Sequence, residues 1–355
     1  MADNAFVKPA AGRGDYVQPV PAWRVTLAGQ DLTEVMRPRL IEISLSEKRG
    51  EEADQLDITL HDADGRLALP PPDAIISVAL GWARGTGVTS GLVEKGAFKV
   101  DEVTWAGAPD TVRITARSAD MTTGMRRRRD RSWNNQTIGQ IVRTIASEHG
   151  QTARVHASLA DITVESIQQS AKSNLQFIRD LGRRYDAVAT VKDGNLIFAP
   201  IGTGTSVSGT PLPGRTITRI GSSNYSYTRK KREEHDGAEA QYNDRSGARR
   251  ERVRVGSGDN PRRLRRTYSN EVDARAAAEA AARRDARQAA DFNLTLAYGD
   301  PTIFPERPVR LSGFKSEVDA APWQVAEVTH SMGPQGYKTD IKLDLGAEEA
   351  DAPSR

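Results

Sequence analysis

Val325-Ala326-Glu327-Val328-Thr329 lies near the end of the chain, and Val100-Asp101-Glu102-Val103-Thr104 lies in its first third. Both stretches carry Val, Glu, Val and Thr at the same positions, both run on to a Gly/Pro turn, and both turns lead into an alternating segment, residues 339–345 or 111–116. Alternation of apolar and polar side chains marks a strand with one buried and one wet face. The same pair of strands is therefore expected twice. Two further matches occur in the same order. Ile43-Ser44-Leu45-Ser46 and the following Leu56-Asp57-Ile58-Thr59-Leu60 are paralleled by Tyr225-Ser226-Tyr227-Thr228 and residues 238–244. Ser77-Val78-Ala79-Leu80-Gly81-Trp82 is paralleled by Pro308-Val309-Arg310-Leu311-Ser312-Gly313-Phe314.

Working outward, residues 21–118 hold short strands separated by the turn Asp62-Ala63-Asp64-Gly65 and the break Pro70-Pro71-Pro72, the grammar of a small barrel or sandwich. From Asn134 the period becomes helical. Thr137 and Gln140 have capping-box spacing before the stripe Ile138, Ile141, Val142 and Ile145, and Ser173 and Gln176 repeat it before Leu175, Ile178, Leu181 and Tyr185. A hairpin turning at Asp193-Gly194 completes an α/β middle domain over residues 119–201. Residues 202–214, rich in Gly, Thr, Ser and Pro, read as a linker. The second module covers residues 215–345 and contains an insertion at 245–291, which ends in a helix over 271–290 with a flat alanine face. Residues 1–20 and 346–355 read as flexible ends. The expected class is α+β and mainly β: two similar small β-barrel modules, an α/β middle domain and an inserted helix.

Composition narrows the function. The 355 residues include no cysteine, so disulfides, thiolate metal sites and cysteine nucleophiles are excluded. Fifty basic residues nearly balance 47 acidic ones, giving a net charge of +3, which argues against a dedicated polyanion binder. Pro9, Pro19 and Pro21 in an N-terminus without a basic-then-apolar layout argue against a signal peptide. No run approaches the roughly 20 apolar residues of a membrane span, so folding and assembly in the cytoplasm are expected.

No motif for catalysis emerges. His61 beside Asp62 and Asp64 has the look of a ligand cluster, but Asp-Ala-Asp-Gly is an ordinary turn between strands. His149 and His156 flank a helix end, where a cation suits the C-terminal carbonyls; His235 falls in a charge-rich turn; His330 reads as a structural hydrogen-bonding residue. No catalytic, cofactor-binding or metal-binding residue is assigned, no cofactor is expected, and the chain is not expected to be an enzyme. Basic runs at residues 126–129, 229–232, 249–254 and 262–266 are bordered by Asp130, Glu233, Glu234, Asp236 and Glu251, which favours solvated turns or ion pairs between subunits over a DNA site.

The order of Glu52-Ala53-Asp54-Gln55-Leu56-Asp57-Ile58, Leu80-Gly81-Trp82, Arg131-Ser132-Trp133, Ile167-Gln168-Gln169-Ser170 and the closing Trp323, Val328-Thr329-His330 and Gly336-Tyr337 resembles the late control protein D family of contractile-tailed phages and tail-derived bacteriocins. One departure is Lys172-Ser173-Asn174, where an acidic residue before a Ser/Thr-Asp cap is usual. The resemblance implies tail-tube-like modules in a structural baseplate hub, a homotrimer whose six modules form a ring between a threefold central spike and a sixfold tail tube. It implies the spike, the tube, other baseplate proteins and the tape measure as partners, and leaves transient passage of DNA through the lumen open. The location implied is a virion tail baseplate or a tailocin particle assembled in the host cytoplasm. The hub end of a type VI secretion spike, a tail-tip hydrolase and a DNA-binding late regulator are the competing readings.

Overall fold

The computed structural model describes residues 16–50, 53–118, 124–192, 194–230, 235–244, 247–257 and 260–346. Most of the expected N-terminal arm and C-terminal tail, Asp193, and the charged residues 231–234 lie outside the described residues. The first half contains β1 (Val20–Leu27), β2 (Gln30–Asp31), the single turn α1 (Thr33–Met36), β3 (Leu40–Lys48), β4 (Gln55–His61), β5 (Ile75–Arg84), β6 (Gly91–Ala106) and β7 (Thr111–Ser118). The middle contains β8 (Arg128–Thr137), α2 (Ile138–Glu148), β9 (Thr152–Val155), α3 (Ala157–Ala160), β10 (Thr163–Ser173), α4 (Asn174–Tyr185), β11 (Ala187–Lys192) and β12 (Asn195–Pro200). The second half begins with β13 (Arg215–Thr218) and β14 (Ser222–Arg229). It is interrupted by β15 (Gly237–Asp244), β16 (Arg249–Gly256), β17 (Arg262–Tyr268) and α5 (Glu271–Arg287). It resumes with β18 (Ala290–Leu296), β19 (Pro308–Ser312), the short α6 (Ser316–Asp319), β20 (Trp323–Gly333) and β21 (Gly336–Leu345). Strand dominates, as the alternating sequence requires.

The two halves repeat one strand order. β3, β4, β7, β6 and β5 lie side by side in the first half, and β14, β18, β21, β20 and β19 follow the same sequence of neighbours in the second. The irregularities repeat as well. A bulge between Val100 and Glu102 faces Ala116 and Thr115, and a bulge between Val325 and Glu327 faces Leu343 and Lys342. Another between Leu40 and Glu42 faces Leu60 and Thr59, and its counterpart between Ser222 and Asn224 faces Leu296 and Thr295. Bulges are specific local features of a strand pair, so two coincidences bind the alignment tightly. Val100 exchanges backbone hydrogen bonds with Asp73 and Ala74, and Val325 does the same with Glu306 and Arg307. Asp73 and Glu306 both hold left-handed backbone, φ 69° and 71°.

Three expectations are corrected. The place of β4 in the second half belongs to β18, because residues 238–244 form β15 in a separate three-stranded sheet between β16 and β17. Val309 lies opposite Trp323 as Ile76 lies opposite Phe98, so Val309 answers to Ile76 and not to Val78. Both errors keep the apolar face inward, which is why alternation alone did not detect them. The expected closed barrels are not observed either: among the described residues no strand pairing closes either half. A strand has two edges, and those of β3 are taken by β4 and, across the molecule, by β20, with Glu327 opposite Lys48 and Met332 opposite Ile43. The halves thus share one open sheet. They also differ at the rim, since β1 runs antiparallel to β5 whereas β13 runs parallel to β19.

Separate cores lie under this sheet. Ile43, Leu45, Leu56, Ile58, Val78, Leu80, Phe98 and Val100 centre the first, and Phe292, Leu294, Val309, Leu311, Trp323, Val325 and Leu343 the second. The middle unit has its own core, where the stripes of α2 and α4 meet Phe198, Leu196 and Trp133. Both helix starts form as spaced: Thr137 and Gln140 make the reciprocal capping box, and Ser173 Oγ accepts from the Gln176 N–H at 3.1 Å. The antiparallel pair β8 and β10 was not foreseen, because Arg128-Arg129-Asp130-Arg131 offers no alternation. α5 ends at Arg287, and Ala274, Ala277, Ala278 and Ala281 lie on Ala238, Ala240 and Val253 of the separate sheet. Small side chains let helix and sheet approach closely, the use expected for that flat face.

Candidate functional site

The inward positions of β3 run Ile43, Leu45, Glu47, and a carboxylate in that series is an anomaly that needs a partner. Lys95 of β6 supplies one, with its Nζ 2.6 Å from Glu47 Oε2, and also donates to the Ile303 carbonyl at 3.2 Å. His330 of β20 lies on the other side, Nε2 3.4 Å from the same carboxylate, while its Nδ1 meets Thr339 Oγ1 and Tyr337 Oη at 3.0 Å each. Burial pushes the Glu47 carboxyl up, but His330 and Lys95 outweigh it and hold it at about 2. Burial pushes His330 down against the pull of Glu47. His330 therefore works as a structural hydrogen-bonding residue at the junction of the halves.

A second charged group sits at the same junction. Arg49, just beyond β3, binds Asp344 of β21 through both terminal nitrogens at 2.6 and 2.9 Å and also contacts Glu306. Glu306 accepts from the Gly202 N–H at 3.0 Å, which ties the start of the expected linker to the joint. Burial raises the Glu306 carboxyl against the opposing pull of Arg49. Trp82 of β5 completes the junction: its Nε1 donates to the Gly299 carbonyl at 2.8 Å, and its ring lies 5.4 Å from that of Tyr337. A Cβ added to Gly299 would come within 2.6 Å of that tyrosine ring, so only glycine fits there. A comparable ionic seam fixes the insertion to the middle unit, where Arg184 of α4 meets Asp273 of α5 at 2.8 Å and Arg287 binds Asp186 in bidentate fashion.

The residues singled out in the sequence are not brought together. His61 Nδ1 accepts from the Ala63 N–H, Asp62 Oδ1 accepts from Leu67, and Asp64 pairs with Arg39, so this is turn chemistry. Burial and the neighbouring Arg129 lower His149, and His156 accepts from the Ser158 N–H as the cap of α3. His149 thus stands at the C-terminal end of α2, and His156 at the start of α3. His235 is exposed against the Asn260 carbonyl. The basic runs are strands more than turns: residues 249–254 fall in β16 and 262–266 in β17, and Arg252, Arg254 and Arg263 converge on the buried Glu239. Arg129 and Arg131 bind Glu148, and Arg131 stacks 4.3 Å over Trp133. Arg129, Arg249, Arg252, Arg254, Arg262 and Arg263 of these runs thus pair with acids within the chain. The wet face of the second half forms a cleft of about 350 Å³ lined by Asn224, Ser226, Glu327, Thr329, Asp340 and Lys342, with hydroxyls, amides and charges but no nucleophile held by a base. Among the described residues no helix is long and apolar enough to cross a membrane.

What the geometry emphasises is a duplicated sheet whose halves are bolted together. Known proteins share that architecture. A tail protein of prophage MuSo2 from Shewanella oneidensis superposes with a TM-score of 0.63 at 13% identity, over 90% of this chain and 97% of its own, which is a likeness of fold. The probable baseplate hub proteins of Escherichia phages 186 and P2 are 35% and 34% identical over 92% of this chain and 93% of theirs. Residues 52–336, from the edge of β4 to the start of β21 and so through both halves of the joined sheet, match the model of the phage tail baseplate hub (GPD) family, and the chain belongs to that family.

Proposed function

We propose that this baseplate hub protein of a phage tail acts as a homotrimeric ring that adapts a threefold central spike to the sixfold end of a tail tube. The observation that carries this reading is the repeat of strand order and of both bulges in the two halves. Two like modules per chain, copied about a threefold axis, make six like modules, so one closed ring offers a threefold and a nearly sixfold face. The modules are taken as residues 21–118 and 215–345, each a tube-like unit of a contractile tail or tailocin. The middle unit at 119–201 and an insertion running from Gly237 to Arg287 break the equivalence and suit the partners that obey threefold symmetry. The short arm and tail, the linker at 202–214, and contacts with other baseplate proteins and the tape measure complete the scheme. DNA meets the hub only in transit through the lumen.

In this role the chain is structural and uses no catalytic, cofactor or metal site. Native mass measurement of the full chain with its spike and tube proteins should give three copies, and imaging should show six modules around a channel. A chain that stays monomeric with both partners present would refute the ring. Soluble muropeptides released from purified peptidoglycan, and lost on a single carboxylate substitution, would refute the non-enzymatic reading.

A further inference from the structure

The joint inside the chain has a counterpart that lacks its other half. β20 leaves β19 after Gln324 and then pairs with β3 through residues 327–332. β6, its equivalent, leaves β5 after Lys99, and from Glu102 to Ala106 has only β7 beside it among the described residues. β14, the equivalent of β3, has only β18 beside it among the described residues. Each half of the repeat thus leaves one exposed edge, and natural proteins seldom leave such edges uncovered without charge or distortion to protect them. Beside their bulges and the charges of Glu102 and Arg229, these edges present aromatic residues: Trp105 is 57% and Tyr225 45% exposed, whereas His330 and Ile43 at the equivalent inner positions are fully buried.

We propose that the β6 edge of one copy pairs antiparallel with the β14 edge of a second copy in the register of the internal joint. The inference rests on the ring reading and names its subunit contact. Carrying the β20–β3 register across by the two shared bulges sets Glu102 opposite Lys230, Thr104 opposite Thr228 and Trp105 opposite Tyr227. The chemistry agrees with the template. Glu327 and Lys48 face each other with 3.9 Å between charges, and Glu102 and Lys230 renew the same signs. Thr329 Oγ1 lies 3.4 Å from Ser46 Oγ, and Thr104 with Thr228 renews the hydroxyl pair. Trp105 and Tyr227 take the places of His330 and Leu45, which are wholly enclosed. The contact joins unlike edges, so it is head-to-tail and closes only as a ring.

The absence of cysteine allows a direct test. Full-length chain carrying both Thr104→Cys and Thr228→Cys is co-produced with the spike and tube proteins of its tail and oxidised. Facing residues of an antiparallel pair lie about 4.5–5.5 Å apart at Cα, within disulfide reach. The expected result is covalent species up to three chains, while either single variant stays monomeric on a denaturing gel. Ser46→Cys with Thr329→Cys calibrates the geometry by linking within one chain. A trimer by native mass that forms no 104–228 link, or that links Thr104→Cys to Ser226→Cys as readily, overturns the register and leaves the ring standing. A double variant and a wild-type chain that both stay monomeric with the partners present overturn the ring itself, and the contact with it.

Discussion

β3 and β14 occupy the same place in the repeat and carry the same bulge, yet one is core and the other rim. Ile43, Leu45 and Glu47 on β3 are buried, while Tyr225 and Arg229 on β14 are exposed and Tyr227 is half-buried. The difference is neither in their alternation nor in their propensity. β3 has β20 on its outer edge, and β14 has no partner there among the described residues. Burial of a strand in a shared sheet is therefore decided by its neighbour, and a polar residue such as Glu47 is tolerated inside only because that neighbour delivers His330 beside Lys95.

The comparison can be broken most severely at Glu47. Glu47→Ala leaves Lys95 buried without its counter-ion, and about 3–5 kcal/mol of stability should be lost in chemical denaturation of the isolated chain. Arg229→Ala, at the equivalent rim position, should change it by no more than about 0.5 kcal/mol. Next in size is the adjacent apolar position. Leu45→Ala should cost about 2–5 kcal/mol through the cavity it opens, whereas Tyr227→Ala should cost only about 1 kcal/mol, mostly its edge contact with Trp323.

Acid sharpens the same contrast. The folded Glu47 carboxyl sits at about 2, below its ordinary value of 4.5, so its contribution is complete above the unfolded value and is lost as pH falls from about 5 to 2. The shift of 2.5 (4.5 minus 2) corresponds to about 3 kcal/mol. Stability curves of Glu47→Gln should lack that portion of the decline; identical slopes for both proteins over this window would refute the assignment. The smallest effect is expected at Glu102, which accepts a hydrogen bond from Thr104 on the exposed edge. Glu102→Ala should leave the melting of the monomer unchanged to within about 0.5 kcal/mol.

Much of this molecule was legible in sequence. Alternation in residues 100–104 and 325–329 located β6 and β20, capping-box spacing located α2 and α4, and the alanine face of α5 foretold its close packing. Local rules suffice where the signal is local: a cap needs residues three apart, and a half-buried strand needs a period of two. Strand partnership has no such signal. Residues 238–244 alternate as well as Ala290–Leu296 do, and only the packing of α5 on one face of β15 draws the former out of the main sheet. The buried charges at Glu47, Lys95, Arg49, Glu306 and Asp344 were visible at most as one carboxylate in an apolar alternation, because their partners stand in strands far apart in the chain. Sequence by itself determined the alternating strands, the capped helices, the existence of the repeat and the family. Tertiary structure alone decided which edges meet, since backbone hydrogen bonds between strands are nearly the same for every residue type and the choice falls to charge, shape and enclosure across the joint.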